Sequence, residues 1–300
     1  MFKKIKRYFS NPYYALGYDL IQSHPHWMPD KYYLSVLWKM VMGETIDWKT
    51  PETFCEKLQW LKLYDRKPIY TTLVDKYRVK RWVVDKIGEQ YVIPTLAVFD
   101  SVDEIVLDNL PDRFVLKCNH DSGSVFICND KGSFDLDSAK KRLAEALQKN
   151  FYWEAREWPY KNVRPLVLAE KYMEDVSGSL NDYKVMCFGG TPKIIQVHKG
   201  RNSGVHTQDL YDINWSLLDL NQKNCQLSNT STVRPICLEE MLACSSVLSE
   251  GIPQVRVDWY VIQNRPYFGE MTFFDAGGYD EFVPKSMEYE IGSWITLPKR

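Results

Sequence analysis

The alternation of apolar and polar positions divides the chain into a helical first third and a strand-rich remainder. Thr50-Pro51-Glu52 reads as an N-cap, a proline in the first helical position and an acid in the first turn. Phe54, Leu58 and Leu61, with Trp60 beside them, keep helical spacing after it. Thr72 opens a second helix that carries Leu73, Val74, Tyr77, Trp82, Val83 and Ile87 to a stop at Gly88. From about Gln90 the texture becomes that of strands. YVIPTLAVFD reads as a strand around a proline, and Ser101-Val102-Asp103-Glu104 as a capping box for a short helix. RFVLKCN and SVFICND are β-rich runs joined by the turn HDSG. DLDSAKKRLAEALQKN is an amphipathic helix with Ala139, Leu143, Ala146 and Leu147 on one face. PLVLAEKYM, DYKVMCFGG and PKIIQVHKG follow as strands, the last two joined at Gly189-Gly190-Thr191-Pro192. A polar stretch over roughly 200–235 precedes the helix LEEMLACSSVLSEG. The chain closes with QVRVDWYVI and RPYFGEMTFF as a hairpin around Gln263-Asn264. Helices mixed with antiparallel hairpins predict an α+β fold.

Composition narrows the field. The 300 residues hold 38 Lys+Arg against 39 Asp+Glu, a formal net charge of -1, so broad electrostatic capture of nucleic acid is not expected. A hydrophobic share of 45% with 26% charged residues is that of a folded globular chain. Seven cysteines at scattered spacing show neither a disulfide framework nor a zinc motif, which points to reduced, buried thiols in a cytosolic protein. No apolar run approaches the roughly 18–20 residues that span a bilayer. The start, MFKKIKRYFSNPYYALGY, lacks the apolar core of a secretory signal. Its Lys3, Lys4, Lys6 and Arg7 interleaved with Phe2, Ile5, Tyr8 and Phe9 suit either an anionic membrane surface or a solvated first helix with one docked face. Ten Trp, 19 Tyr and 13 Phe leave core mass and a sugar-stacking platform both open.

Three constellations place charge inside this pattern. Phe114-Val115-Leu116-Lys117 brings a lysine to the end of a strand, and the small, polar turn Asn119-His120-Asp121-Ser122-Gly123-Ser124 follows. Such a lysine meets phosphate charge and such a turn cradles phosphate oxygens with its N–H groups, although a snorkelling edge lysine looks the same. Val167-Leu168-Ala169-Glu170-Lys171-Tyr172-Met173 breaks an apolar strand with charge. The backbone there can hold the edge of a planar base, or the segment is the exposed end of an edge strand. Val255-Arg256-Val257-Asp258 and Tyr267-Phe268-Gly269-Glu270-Met271-Thr272 set two carboxylates nearly opposite each other if the turn centres at Gln263-Asn264. Paired cross-strand acids repel unless a cation neutralises them, and Mg²⁺ with substrate phosphates suits such oxygen ligands. Two solvated acids on an outer face are the alternative.

In this order the three pieces resemble an ATP-grasp fold, and more specifically the TupA-like (teichuronopeptide biosynthesis) ATP-grasp family of bacterial surface-polysaccharide loci. EKLQWLKLYDRKPIYTTLVDKYRVK, FVLKCNHDSG, REWPYKNVRP, LAEKYMED, DYKVMCFGG and VRVDWY with YFGEMTFF carry the resemblance, over roughly residues 45–297. It implies two α+β subdomains gripping ATP behind a helical N-terminal region. The boundaries would be 1–45 for a basic, aromatic segment and 46–297 for the catalytic region, divided as 46–110, 111–170 and 171–297.

The resemblance assigns Lys117 and Lys76 to the nucleotide phosphates and Asp121, Ser122, Gly123 and Ser124 to the loop closing over them. Glu170 and Lys171, with Tyr172, fall to the adenine hinge and Met173 to its ribose side. Asp258 and Glu270 become magnesium ligands, and Arg256 joins Lys117 in stabilising the transferring phosphoryl group. The family pattern often continues as Glu-x-Asn, whereas Thr272 stands here, with Asp275 the nearest substitute ligand. Lys184, Lys193, His198, Lys199 and Arg201 lie on or after neighbouring strands and are candidates for an anionic acceptor, Lys184 also for the nucleotide. His120 and His206 are acid/base candidates. The implied activity is ligation of a carboxylate and an amine through an acyl phosphate, with ATP and Mg²⁺, on a uronic acid or sugar of a surface polysaccharide. A glycan kinase on the same scaffold, a sugar transferase and a glycan-binding protein are the rival readings.

Overall fold

The computed structural model describes residues 17–19, 23–175, 182–199, 207–228 and 231–299. In chain order these form α1 (Asp30–Met42), α2 (Phe54–Tyr64), α3 (Ile69–Val74) and α4 (Arg78–Ile87), then β1 (Thr95–Phe99), β2 (Phe114–Cys118) and β3 (Val125–Cys128). Next come α5 (Leu136–Leu147), the short α6 (Tyr152–Ala155), β4 (Val167–Lys171), β5 (Asp182–Phe188), β6 (Thr191–Lys199), β7 (Thr207–Asp212) and β8 (Asn221–Gln222). The chain ends with α7 (Leu238–Leu248), β9 (Gln254–Ile262), β10 (Arg265–Thr272), β11 (Phe282–Val283) and α8 (Lys285–Ser293).

Two larger antiparallel sheets result, ordered β1-β4-β2-β3 and β10-β9-β5-β6-β7, with β11 and β8 as a separate pair. The first sheet packs Phe114, Leu116, Val167 and Ala169 against Leu143 and Ala146 of α5. The second sheet sits in the main core with α2, α3 and α7. Its strands alternate. Val255, Val257 and Trp259 of β9 bury one face, and the Trp259 Nε1–H donates to Ser245 Oγ of α7 at 2.8 Å. Arg256 and Asp258 therefore emerge on the other face, as strand geometry requires.

The α+β expectation holds, and the differences have local causes. The helix expected at Thr50 begins at Phe54 instead, because a capping box at Thr53 and Glu56 competes successfully. The Thr53 hydroxyl accepts from Glu56 N, and the Glu56 carboxylate accepts from Thr53 N at 3.0 Å. Thr50 is engaged with Asp47. The helix expected to run from Thr72 to Gly88 is broken at Asp75. That buried carboxylate accepts from the backbone of Tyr77 (2.9 Å) and Arg78 (3.2 Å), re-capping the chain as α4. The break leaves Lys76 outside both helices, facing the first sheet. The polar stretch before α7 contains β7, whose TQDLYD sequence carries little strand signal and forms an edge. All seven cysteines are free, and all but Cys225 are buried.

Thr53→Ala removes the hydroxyl half of the α2 capping box and leaves the bond from the residue-53 N–H to the Glu56 carboxylate. It should lower the unfolding free energy by about 1 kcal/mol in urea titrations, with nucleotide affinity unchanged.

Candidate active site

The acids meet as the hairpin predicts. Gln263 (φ 50°) and Asn264 (φ 61°) form the turn, and Glu270 is the register partner of Asp258. A bulge after Phe268 sets this register. Uninterrupted pairing would place Gly269 opposite Asp258 and turn Glu270 to the other face. The extra residue is a glycine because a Cβ there would lie 3.1 Å from the Asp258 carbonyl oxygen.

Cations surround the pair. Arg256 grips Asp258 in a bidentate fork at 2.7 and 2.8 Å, and the Lys184 amine bonds the same carboxylate. Lys184 is the register partner of Asp258 on β5. The Lys76 ammonium lies 3.2 Å from Glu270 and donates to the Asp121 carbonyl at 2.6 Å, linking the second sheet to the loop after β2. Asp275 binds Arg256 and accepts from Gln196 (3.0 Å) and Gln222 (2.9 Å). Burial pushes the pKa values of Asp258, Asp275 and Glu270 up, but the adjacent cations outweigh it, so all three lie below their ordinary range. Thr272 accepts from Arg256 at 3.2 Å, so the position where the family often has asparagine supports the arginine here.

A second charged group forms around β4. Glu170 was expected at the adenine hinge, and the alternative was an exposed strand end. Neither describes its side chain. β4 lies inside its sheet, and Glu170 is buried between Lys80 at 2.5 Å and Lys117 at 2.6 Å. Burial raises the Glu170 pKa and the two lysines more than reverse this, leaving it depressed. Lys80 also donates to the carbonyl of Ile93 (2.9 Å) and to Thr95 Oγ1 (2.7 Å). Lys80, in the first turn of α4, was not among the candidates. Burial, together with Asp182, Glu270, Asp258 and Glu170, pushes the Tyr260 pKa up.

The rest of the expected hinge follows β4. Lys171 is exposed and its backbone N–H donates to the Pro94 carbonyl at 3.0 Å. Tyr172 lies beneath the Arg113 guanidinium, 4.1 Å from carbon to ring centroid, and Met173 is half-buried. In the loop between β2 and β3, Gly123 takes a φ of 104° and Ser124 bonds Asp121. Ser122 and Ser124 line a cavity of about 240 Å³ together with Arg142 and Lys149.

The acceptor candidates do not assemble as expected. Lys193 is the extra residue of a bulge in β6 and is exposed, its ammonium over the Trp294 ring. Lys199 has opposite strand parity to Gln196 and pairs with Asp209 at 2.9 Å. His198 shares the parity of Gln196 and is buried. Arg201 and His206, like the basic segment 1–16, lie outside the described residues. His120 is buried against the carbonyl of Ala146 at 3.1 Å, a structural position.

Asp258 and Glu270 fit a magnesium ion only in company. Among the described residues no group of three or more His, Cys, Asp or Glu side chains is arranged to hold a metal. Two carboxylates already neutralised by Lys184, Arg256 and Lys76 offer a bare ion little, whereas a polyphosphate would supply further oxygens and take over the cations. No helix among the described residues is long and apolar enough to cross a membrane.

Lys76 joins the two charged sheets, bonding Glu270 of one and the loop after β2 of the other. The TupA-like ATPgrasp family matches residues 56–296, and the chain belongs to that family and is by class an ATP-grasp ligase. Comparison with curated proteins finds no match. Among solved structures, the D-alanine–D-alanine ligase from Bacillus anthracis is 18% identical over 74% of this chain and 67% of its own, with a TM-score of 0.42. The D-alanine–D-alanine ligase from Helicobacter pylori is 16% identical over 82% and 69%, TM-score 0.41. The ADP complex of N5-carboxyaminoimidazole ribonucleotide synthetase, PurK, is 11% identical over 80% and 56%, TM-score 0.43. Identities this low say nothing about substrate.

Glu170→Gln leaves two adjacent lysines without their counter-charge and should cost roughly 3 kcal/mol of stability at pH 7. A depressed carboxylate pKa stabilises the fold above its unfolded value and ceases to do so as pH falls through the folded one. The gap between wild type and variant should therefore close in acid denaturant titrations below about pH 4. Mn²⁺ binding followed by electron paramagnetic resonance should be weak for the protein alone and at least about tenfold tighter with ADP present.

Proposed function

We propose that this chain is an ATP- and magnesium-dependent carboxylate–amine ligase that attaches an amino acid or other amine to a uronic acid or sugar of a bacterial surface polysaccharide or its precursor. The observation that supports it most is the facing Asp258–Glu270 pair with Arg256 and Lys184 against it. A magnesium ion held by those two carboxylates would neutralise phosphate charge. Lys80 and Lys117, together at Glu170, are placed to take the nucleotide's phosphates, and Lys76 to bridge the phosphate loop and the acids. The backbone from Ala169 through Tyr172 is assigned to the adenine and Met173 to its ribose.

The chemistry is then one of positioning and electrostatics. A substrate carboxylate attacks the γ-phosphate of ATP, the bond to the β,γ-bridging oxygen breaks, and an acyl phosphate and ADP result, with Arg256 stabilising the charge that collects on the transferring group. The amine adds to the acyl carbon, the C–O bond to phosphate breaks, and an amide and inorganic phosphate result. The polysaccharide setting rests on the family, and a cytoplasmic location, with basic segment 1–16 toward the membrane face, belongs to the same proposal.

Incubation with MgATP, glucuronate or galacturonate and a panel of amino acids should release ADP, and mass analysis should find the amide. Lys117→Ala and Asp258→Asn should each lower turnover by at least about a hundredfold. ADP release with a phosphorylated sugar as product would make the chain a kinase. Turnover unaffected by either substitution would contradict the nucleotide site.

A further inference from the structure

Glu157, in the REWPY stretch before β4, is a carboxylate for which the fold supplies no partner. It is 5% exposed. Among the described residues no donor hydrogen-bonds its carboxyl oxygens and no cation pairs with them; charges act on it only from a distance. An unpaired carboxylate in such a place costs several kcal/mol, so folding alone does not favour it.

The chain is nonetheless turned to put it there. Arg156 adopts a left-handed conformation (φ 54°), which a residue with a side chain enters at a cost. Its fully buried guanidinium is clamped over Tyr33 (4.2 Å) and Trp153 (4.4 Å) and donates to the Pro25 carbonyl at 2.7 Å. This anchor swings the next residue inward.

The residues around Glu157 offer its carboxylate no hydrogen bond. Lys62, the cation that acts on it most, already donates to Gln59 Oε1 (3.0 Å) and to the carbonyls of Ala155 (3.0 Å) and Gly277 (2.7 Å). Position 277 carries no side chain, and a Cβ there would stand 3.7 Å from Glu157 Oε1. The neighbouring Tyr279 hydroxyl is buried and also lacks a hydrogen-bond partner. Gly277 follows Asp275, the partner of Arg256, by two residues, so Glu157 stands near the acid pair. Burial pushes the Glu157 pKa up, against the pull of Lys62.

A lone carboxylate repels the phosphates and the donor carboxylate, which the lysines and Arg256 attract. It complements a cation with several donors, and a primary ammonium has three. We infer that Glu157 is the acceptor subsite of this enzyme, where its carboxylate binds the ammonium of the primary-amine substrate and takes the proton that frees the nucleophile. The inference rests on the ligase reading and names that site's second substrate by chemistry. In the step, R–NH₃⁺ gives one proton to the Glu157 carboxylate and becomes R–NH₂. The nitrogen lone pair then forms the C–N bond, the acyl carbon–oxygen bond breaks, and its electron pair leaves with phosphate. The second nitrogen proton departs with it as hydrogen phosphate.

The test is ligand-observed NMR on the protein, with and without MgADP, using ethanolamine, glucosamine and L-alaninamide as probes against the neutral ethylene glycol and glucose. Wild type should bind at least one amine at least tenfold more tightly than the neutral compounds. Glu157→Gln should lose at least tenfold of that affinity, Glu157→Asp should keep part of it, and MgADP affinity should stay within twofold. Because Lys62 is the buried cation nearest in effect, both variants are compared well below their melting temperatures, with MgADP binding as the control for folding. Equal amine binding by wild type and Glu157→Gln, or no preference for amines, overturns the inference. Wild type that binds amines but not MgADP would instead contradict the nucleotide-dependent reading.

Discussion

The structure depends on keeping a concentration of buried charge neutral. Asp258, Glu270 and Asp275 converge on one face of a sheet, and burial alone would drive them toward protonation. Arg256 at the centre, with Lys184 and Lys76 at its sides, holds them ionised. Each cation comes from a different piece of chain: β9 itself, β5, and the break between α3 and α4. The second group repeats the arrangement with opposite weighting, one carboxylate, Glu170, between two lysines. An interior built this way gains little net stability from its ion pairs, because desolvation consumes most of the attraction. Its value lies in presenting charges already oriented, with little reorganisation left for the moment of reaction.

The same arrangement suits exchange of partners. Under the proposed function, phosphate oxygens would replace the carboxylates around Lys76, Lys80, Lys117 and Lys184, and the acids so released would be free for a divalent cation. Lys76 has a particular place in such an exchange. It touches Glu270 on one sheet and the Asp121 carbonyl in the loop of the other, so a ligand that takes its ammonium acts on both.

Much of this was legible in the sequence where the determinants are local. VRVDWY alternates, so Arg256 and Asp258 must share a face, and a turn at Gln263-Asn264 brings Glu270 near. The bulge at Gly269 that makes the register work was not legible, since it is set by pairing across the hairpin. The burial of the Glu170 side chain was not legible because a sequence does not say whether a strand is central or at an edge. Lys80 looked like an ordinary solvated helix charge until β4 was packed against it. Lys193 and Lys199 illustrate the same limit, since one bulge and one step of parity decide which face a strand residue serves. Glu157 gave no signal beyond its place in REWPY, because its isolation is a property of Gly277, Tyr279 and Lys62, all distant along the chain.

The central claim is that the Asp258–Glu270 face is where metal and polyphosphate meet. A crystal structure with a non-hydrolysable ATP analogue and Mg²⁺ tests it most directly. The account predicts a metal between Asp258 and Glu270, the Lys184 ammonium moved from Asp258 toward phosphate, and adenine against the backbone of Ala169 through Tyr172. A nucleotide bound elsewhere, with the Lys184–Asp258 and Arg256–Asp258 pairs intact and no metal at the acids, would contradict it.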